Sequence, residues 1–317
     1  MSKTSGRKAG RVVRRTLKDG TVRTYRYGPY RGPRAAAQGD TIEALMPAYE
    51  HSPEWRTLSR STQVTYTRYL RFFAGLGATQ IATFDRRSVL ELRDFVAEDR
   101  GNGAANTFML AASALFSWGV KRGWLEVSPC LRIEHLPGGH YPAWTMPQVE
   151  LALAHLREPL RRAIILALYT GQRRGDVCRM TWADYDGERI RVRQEKTGTL
   201  LTIPCHPSLS AELDSWERIT PTILTSGNGQ SWRPSHISNA VCVALRRIKG
   251  FPAGRNMHGL RKLAAALLAE GGCSTHEIAA VTGHKSLAMV ELYTASARQE
   301  KLAGAAVLRF PTLKRNP

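Results

Sequence analysis

The stretch LPGGHYPAW, residues 136–144, cuts this chain in two. Proline fixes φ and lacks a backbone donor, and glycine loses the most entropy on ordering. Neither a helix nor a central strand therefore runs through Pro137, Gly138, Gly139 and Pro142. Whatever forms on either side must bury its own apolar face. The chain has 317 residues, so each side is long enough for a core of its own.

Upstream, four stretches carry apolar residues at three- and four-residue spacing: TIEALMPAYE, STQVTYTRYLRFFAGLG, DRRSVLELRDFVAEDRG and NTFMLAASALFSWGVKRGW. Breakers follow each of them, which predicts a compact bundle of short helices over 41–136. Arg68, Arg71, Arg86, Arg87, Lys121 and Arg122 decorate it. Downstream, Thr145 with Pro147 and Gln148 reads as a capping box opening the helix PQVELALAHL, and the apolar RRAIILALYTG follows. RIRVRQ and LLTIP read as two strands joined by the turn KTGT. A helix is expected from Ser235 to Arg247, and another over MHGLRKLAAALLAEGG. Ser274 and Glu277 form a second capping box, before EIAAVTG. The expected fold class is mainly α with a small β-sheet, an α+β arrangement without internal repeats.

Charge narrows the partner. Lysine and arginine number 46 against 26 acidic residues, a formal net charge of +20, which favours a polyanion. An anionic membrane is the weaker choice. The apolar run Ala163–Tyr169 is far too short to span a bilayer, and MSKTSGRKAGRVVRR lacks the apolar segment of a signal peptide. Residues 1–40 hold eleven Lys/Arg and two acids, a net of +9 (eleven minus two). Within them Asp19-Gly20 separates two β-prone stretches, which predicts a hairpin, and Tyr25, Tyr27 and Tyr30 interleave with the basic residues. The segment reads as a basic arm for DNA phosphates, tethered by GPRAAAQGD.

The five cysteines are odd in number, scattered and without a C-x-x-C pair, which fits reduced thiols in a cytoplasm. Cys273, His276 and His284 imitate a zinc set, but no fourth ligand lies at metal-like spacing. No metal or other cofactor is expected.

The downstream half also concentrates chemistry. LYTGQRRGDVCRM puts Arg173 after a Thr-Gly break, with Asp176 at the start of a helix. QEKTGT exposes Lys196 on a turn. In MHGLRK, His258 and Arg261 are three apart and share a helix face, and GHKSLAMVELY places His284 and Tyr293 nine apart (293 − 284). Two arginines, a lysine, two histidines and a tyrosine can attack a phosphodiester without a metal. Guanidinium groups match phosphoryl oxygens, a tyrosine hydroxyl can act as nucleophile, and a lysine can protonate the leaving oxygen.

In that order, these motifs resemble the tyrosine recombinases, the phage-integrase family. TGQRRGDV is similar to the family's first-arginine motif, EKTGT to its β-hairpin lysine, HGLR to its H-x-x-R box, and TGHKSLAMVELY to its histidine-to-tyrosine ending. Gln172, Asp176 and Thr282 depart from the residues the family more often carries, and none of them removes a reactive group. Asp176 is expected to brace the site. The resemblance implies catalytic Arg173, Lys196, His258, Arg261, His284 and Tyr293, and a C-shaped clamp around double-stranded DNA. It further implies a 3′-phosphotyrosyl intermediate, a Holliday junction, and a tetramer on two DNA sites, with accessory DNA-bending proteins as possible partners.

The expected organisation is a basic arm (1–40), a helical core-binding domain (41–136), a linker (137–144), a catalytic domain (145–300) and a C-terminal tail or helix for subunit contact (301–317). The basic arm favours an integrase, acting in the cytoplasm at the nucleoid. A dimer-resolving recombinase, a topoisomerase of the same fold and a catalytically idle DNA-binding protein are the alternatives.

Overall fold

The structure, a computed structural model, describes residues 11–16, 22–27, 40–76, 78–139, 141–286, 290, 291, 303, 304 and 307. The chain divides into two compact units, Met1–Gly139 and His140–Pro317. Its fold is mainly α-helical with small two-stranded sheets.

In the first unit, β1 (Arg11–Thr16) and β2 (Val22–Tyr27) pair antiparallel, from Arg11 opposite Tyr27 to Thr16 opposite Val22. The hairpin expected from the sequence is present; its Asp19-Gly20 turn lies outside the described residues. The helices are α1 (Ile42–Glu50), α2 (Pro53–Thr57), α3 (Arg60–Leu70), α4 (Arg86–Arg100) and α5 (Asn102–Lys121).

Two features differ from the sequence reading. Helix α2 is an addition: the Ser52 hydroxyl accepts the Trp55 N–H at 3.1 Å and Pro53 sits at the first helical position. Helix α5 starts at Asn102, earlier than expected, because Gly101 at φ 85° ends α4 and opens α5 within one residue. The core of this unit is aromatic. Phe73 lies edge-on to Phe84 (5.6 Å) and Phe116 (5.7 Å), and Phe84 stacks on Phe116 at 5.5 Å.

The second unit opens with α6 (Met146–His155), where Gln148 Oε1 accepts the Thr145 N–H at 3.3 Å as the capping box requires. Helix α7 (Glu158–Thr170) is buried through most of its length and ends at Gly171, left-handed at φ 61°. Then come α8 (Arg174–Arg179), the antiparallel pair β3 (Arg189–Arg193) and β4 (Leu200–Pro204), α9 (Pro207–Ser215), α10 (Pro234–Leu245), α11 (Met257–Glu270) and α12 (Thr275–Thr282).

Helix α9 was not expected, although Pro207 at its first position and Leu209/Leu213 four apart are its local signals. Helix α11 packs on α7 and α12. Its Gly259 has a physical cause: a Cβ there would lie 2.6 Å from the Pro142 carbonyl and from the Trp144 ring. The Trp144 indole is buried and donates to the Asn256 carbonyl at 2.8 Å.

Val290 is fully buried with Ala265, Ala269 and Ile278 of α11 and α12, which anchors the chain three residues before Tyr293. Ala303, Gly304 and Val307 are helical and exposed. Among the described residues no helix is long and apolar enough to cross a membrane.

Candidate active site

The site grows from four helix ends and one turn. Gly171 terminates α7, and two residues later Arg173 stands as the N-cap of α8, half-buried. Asn256 caps α11 by accepting the His258 N–H at 2.9 Å, so His258 and Arg261 occupy its first turns. Gly283, left-handed at φ 72°, stops α12 and turns the chain into His284. Lys196 is exposed on the β3–β4 turn.

Arg261 is the centre of this arrangement. Its side chain is 0% exposed, the extreme for a charged residue. Nη1 donates to the carbonyls of Gly171 (2.8 Å) and Thr282 (2.6 Å), joining the ends of α7 and α12. Nη2 donates to His284 Nε2 at 2.7 Å. A guanidinium has donors only, so Nε2 must be the acceptor and the His284 proton sits on Nδ1. Nδ1 lies 2.7 Å from Thr282 Oγ1, which in turn donates to the Ile278 carbonyl at 2.6 Å. One chain of polarised bonds thus fixes the ring's tautomer.

Burial, followed by the charges of Arg261 and Arg173 and the His258 ring, pushes the His284 pKa from 6.5 down to about 3. The His258 pKa is lowered as well, by burial first and then by Arg261, Lys262, Arg173 and Lys196. Both imidazoles are held neutral by their surroundings. The same causes show that Arg173, Lys196, His258, Arg261 and His284 share one electrostatic field. Tyr293 lies outside the described residues.

Asp176 is buried in α8. Its Oδ1 accepts the backbone N–H of Glu195 at 2.9 Å and the Arg179 Nη2 at 2.8 Å, and Arg179 Nη1 reaches Glu195 Oε2 at 2.6 Å. It therefore grips the residue next to Lys196. Two glutamines, of which the sequence reading noted only Gln172 and only as a departure, fill the space between these parts. Gln194 Nε2 donates to Gln172 Oε1 (2.6 Å) and the Thr282 carbonyl (2.8 Å), while its Oε1 accepts Arg173 Nη1 at 2.9 Å. Gln172 Nε2 donates to the carbonyls of Thr170 (3.0 Å) and Val281 (2.9 Å). Both amides are fully satisfied and buried. The apparent zinc set is otherwise engaged at His284, whose two ring nitrogens face Arg261 and Thr282.

Residues 145–300 match the family model described as the phage integrase family. That segment belongs to the tyrosine recombinase, or phage integrase, family. The chain is accordingly a site-specific recombinase, an enzyme of strand cleavage and rejoining. It is similar to the tyrosine recombinase XerC of Mycobacterium tuberculosis (strain H37Ra), with 28% identity over 261 residues covering 74% of this chain and 87% of the relative. The integrase of Escherichia phage HK022 is 26% identical over 282 residues, covering 83% of this chain and 78% of that one. Among solved structures, a lambda integrase tetramer bound to a Holliday junction superposes with a TM-score of 0.71 at 22% identity, over 81% of this chain and 78% of that one. For this recombinase that likeness concerns the fold.

Proposed function

We propose that this recombinase cuts and rejoins double-stranded DNA at specific sites through a covalent 3′-phosphotyrosyl intermediate, with Tyr293 as nucleophile. The observation that carries the reading is the convergence of Arg173, His258, Arg261 and His284 around one buried polar network, with the Lys196 turn gripped by Asp176.

In the proposed reaction the phenol oxygen of Tyr293 attacks the phosphorus and the P–O bond to the 5′ deoxyribose oxygen breaks. Arg173 and Arg261 match the equatorial oxygens of the phosphoryl group, where negative charge accumulates. His258, whose pKa burial and the neighbouring cations lower, can take the phenol proton, and Lys196 on its exposed turn supplies a proton to the leaving oxygen. The His284 ring, which accepts from Arg261 Nη2, holds that guanidinium in place for the phosphate. The energy of the broken bond stays in the phosphotyrosine, so the reverse attack by a DNA hydroxyl rejoins a strand.

The proposal extends to partners and organisation. The net +9 of residues 1–40 suits a second DNA contact of the kind an integrase needs, preceding a core-binding unit, a linker and the catalytic unit. Strand exchange through a Holliday junction calls for two DNA duplexes and four active sites. We therefore infer a tetramer, acting in the cytoplasm where that DNA is, with DNA-bending proteins as possible accessories.

A nicked suicide duplex, which loses its short 5′ fragment after cleavage, tests the reading. The wild-type protein is expected to accumulate a covalent protein–DNA adduct, while Tyr293→Phe binds the duplex and accumulates none. An adduct formed by Tyr293→Phe overturns the assignment.

A further inference from the structure

The geometry points to Gln194 as a positioning residue that holds the first arginine, the lysine turn and the second histidine in register. This inference rests on the function proposed above and assigns a role to a side chain that itself touches no substrate.

Its side chain is 0% exposed and makes four hydrogen bonds, each to a different part of the site. Oε1 accepts Arg173 Nη1 at 2.9 Å and the Thr197 hydroxyl at 2.8 Å. Nε2 donates to Gln172 Oε1 at 2.6 Å and to the Thr282 carbonyl at 2.8 Å. An amide with two acceptor and two donor sites is thereby saturated, so it has one orientation only. Flipping it would set its NH₂ against the Arg173 guanidinium and its oxygen against two other oxygens.

The main chain of the same residue closes the turn that carries Lys196. The Gln194 N–H donates to the Thr199 carbonyl at 2.9 Å, and the Gln194 carbonyl accepts the Gly198 N–H at 2.8 Å. The turn is therefore pinned twice on one residue, through its backbone and through Thr197. On the other side, Gly283 leaves no room for anything but this amide: a Cβ there would stand 2.7 Å from Gln194 Cδ. The Thr282 carbonyl that Gln194 holds is also the one that Arg261 holds, at 2.6 Å. Gln194 is thus one bond from Arg173, one carbonyl from Arg261, which in turn donates to His284, and two residues from Lys196. A salt bridge in its place would demand a buried charge, whereas the amide orients a cation without neutralising it, leaving Arg173's charge for the phosphate.

Packing alone would make Gln194 a stability residue. A positioning role is distinguished by which step it affects, and by whether that step is rescued when the leaving group needs no proton. The experiment compares wild type, Gln194→Met, Gln194→Glu and Thr197→Val. It measures melting temperature, duplex affinity and single-turnover cleavage of two nicked duplexes, one with the natural 5′ oxygen and one with sulfur in that bridging position. A thiolate leaves without the lysine's proton.

Gln194→Met is expected to keep its duplex affinity to within a few-fold and to lose on the order of 10²-fold in cleavage of the oxygen duplex. Part of that loss should return on the sulfur duplex, because part of it is the misplaced Lys196. Gln194→Glu keeps the acceptor for Arg173 but sets a carboxylate oxygen against Gln172 Oε1 and the Thr282 carbonyl and neutralises Arg173. It is therefore expected to lose at least as much activity as the methionine variant. Thr197→Val removes the tie between turn and amide, together with a bond from the Thr199 hydroxyl within the turn, on a half-exposed residue, so it reports even if the methionine variant fails to fold. Its smaller loss should be recovered on sulfur. Cleavage by Gln194→Met close to wild type overturns the inference. So does a loss in Thr197→Val that is absent, or that is equal on both duplexes. A wild-type protein that forms no adduct in the same assay would sink the underlying reading instead.

Discussion

The two units bury different things. Among the described residues, the first unit buries two polar side chains, Thr41 and Ser52, and both are helix N-caps. Its interior is otherwise apolar, with aromatic rings in mutual contact. The second unit buries Thr170, Gln172, Asp176, Gln194, Thr225, Arg261 and Thr282, and all but Thr225 belong to the network around the candidate site. Buried polar groups cost free energy unless every one is paired. Their concentration in one unit marks where the fold is organised around chemistry, and their scarcity in the other marks a unit organised around packing.

The sharpest way to break that contrast is Arg261→Ala. Cleavage should fall on the order of 10²-fold or more, since a donor to the phosphoryl oxygens is lost. The Gly171 carbonyl loses its side-chain partner and the Thr282 carbonyl one of two, so stability should also fall, by about 2–4 kcal/mol. Single-turnover kinetics and denaturant melts read the two effects separately. A variant that loses rate with unchanged stability would mean the buried bonds are not structural.

Phe73→Ala makes the opposite case. It empties a fully buried ring site among Phe84, Phe108 and Phe116, and should cost about 3–5 kcal/mol of stability. The cleavage rate of the DNA-bound protein should hardly change. A large drop in that rate at temperatures well below melting would contradict the division between packing and chemistry.

The pH dependence follows from His284. Its folded pKa of about 3 lies below the ordinary 6.5, so the unfolded chain takes up a proton first as the pH falls. The contribution is fully present above about 6.5 and is lost as the pH drops toward 3. Carboxylates such as Glu54, itself lowered to about 2, act on the lower part of the same limb. The discriminating window is thus the upper part, nearer 6.5, where His284→Gln should flatten the melting curve against pH. An upper limb that is the same in both proteins would show that the ring is not held neutral by the fold.

The smallest effect belongs to the caps of the first unit. Thr41 accepts the Ala44 N–H at 3.3 Å. Thr41→Ala should cost about 1 kcal/mol in a denaturant melt without altering cleavage.

Much of this was legible in the sequence, and the reasons are local. Ser274 with Glu277 and Thr145 with Gln148 announce helix starts because capping is settled within four residues. Gly171 and Gly283 announce helix ends because left-handed backbone favours glycine. His258 and Arg261 share a face by helical spacing alone. The short helices α2 and α9 were missed, since five and nine residues leave little periodicity to read.

What carries the site together was not legible. The bonds from Gln194 to Arg173 and to Thr282 span 21 and 88 residues, and the bond from Arg261 to Gly171 spans 90. Nothing in QEKTG announces that its glutamine will meet another glutamine. The burial of Arg261 is equally silent, because a sequence shows an arginine on a helix and says nothing of what packs over it.

The central claim is that a tyrosine of the second unit, Tyr293, becomes covalently joined to DNA in a site whose cations neutralise the phosphate. The most direct measurement is to trap the adduct of wild-type protein on a nicked duplex in EDTA, digest it with trypsin and sequence the nucleotide-bearing peptide by mass spectrometry. The account expects an adduct that forms without divalent metal, with the nucleotide on Tyr293 in the peptide from Ser286 to Arg298. A nucleotide on any other residue, or an adduct that appears only when Mg²⁺ is restored, would contradict it.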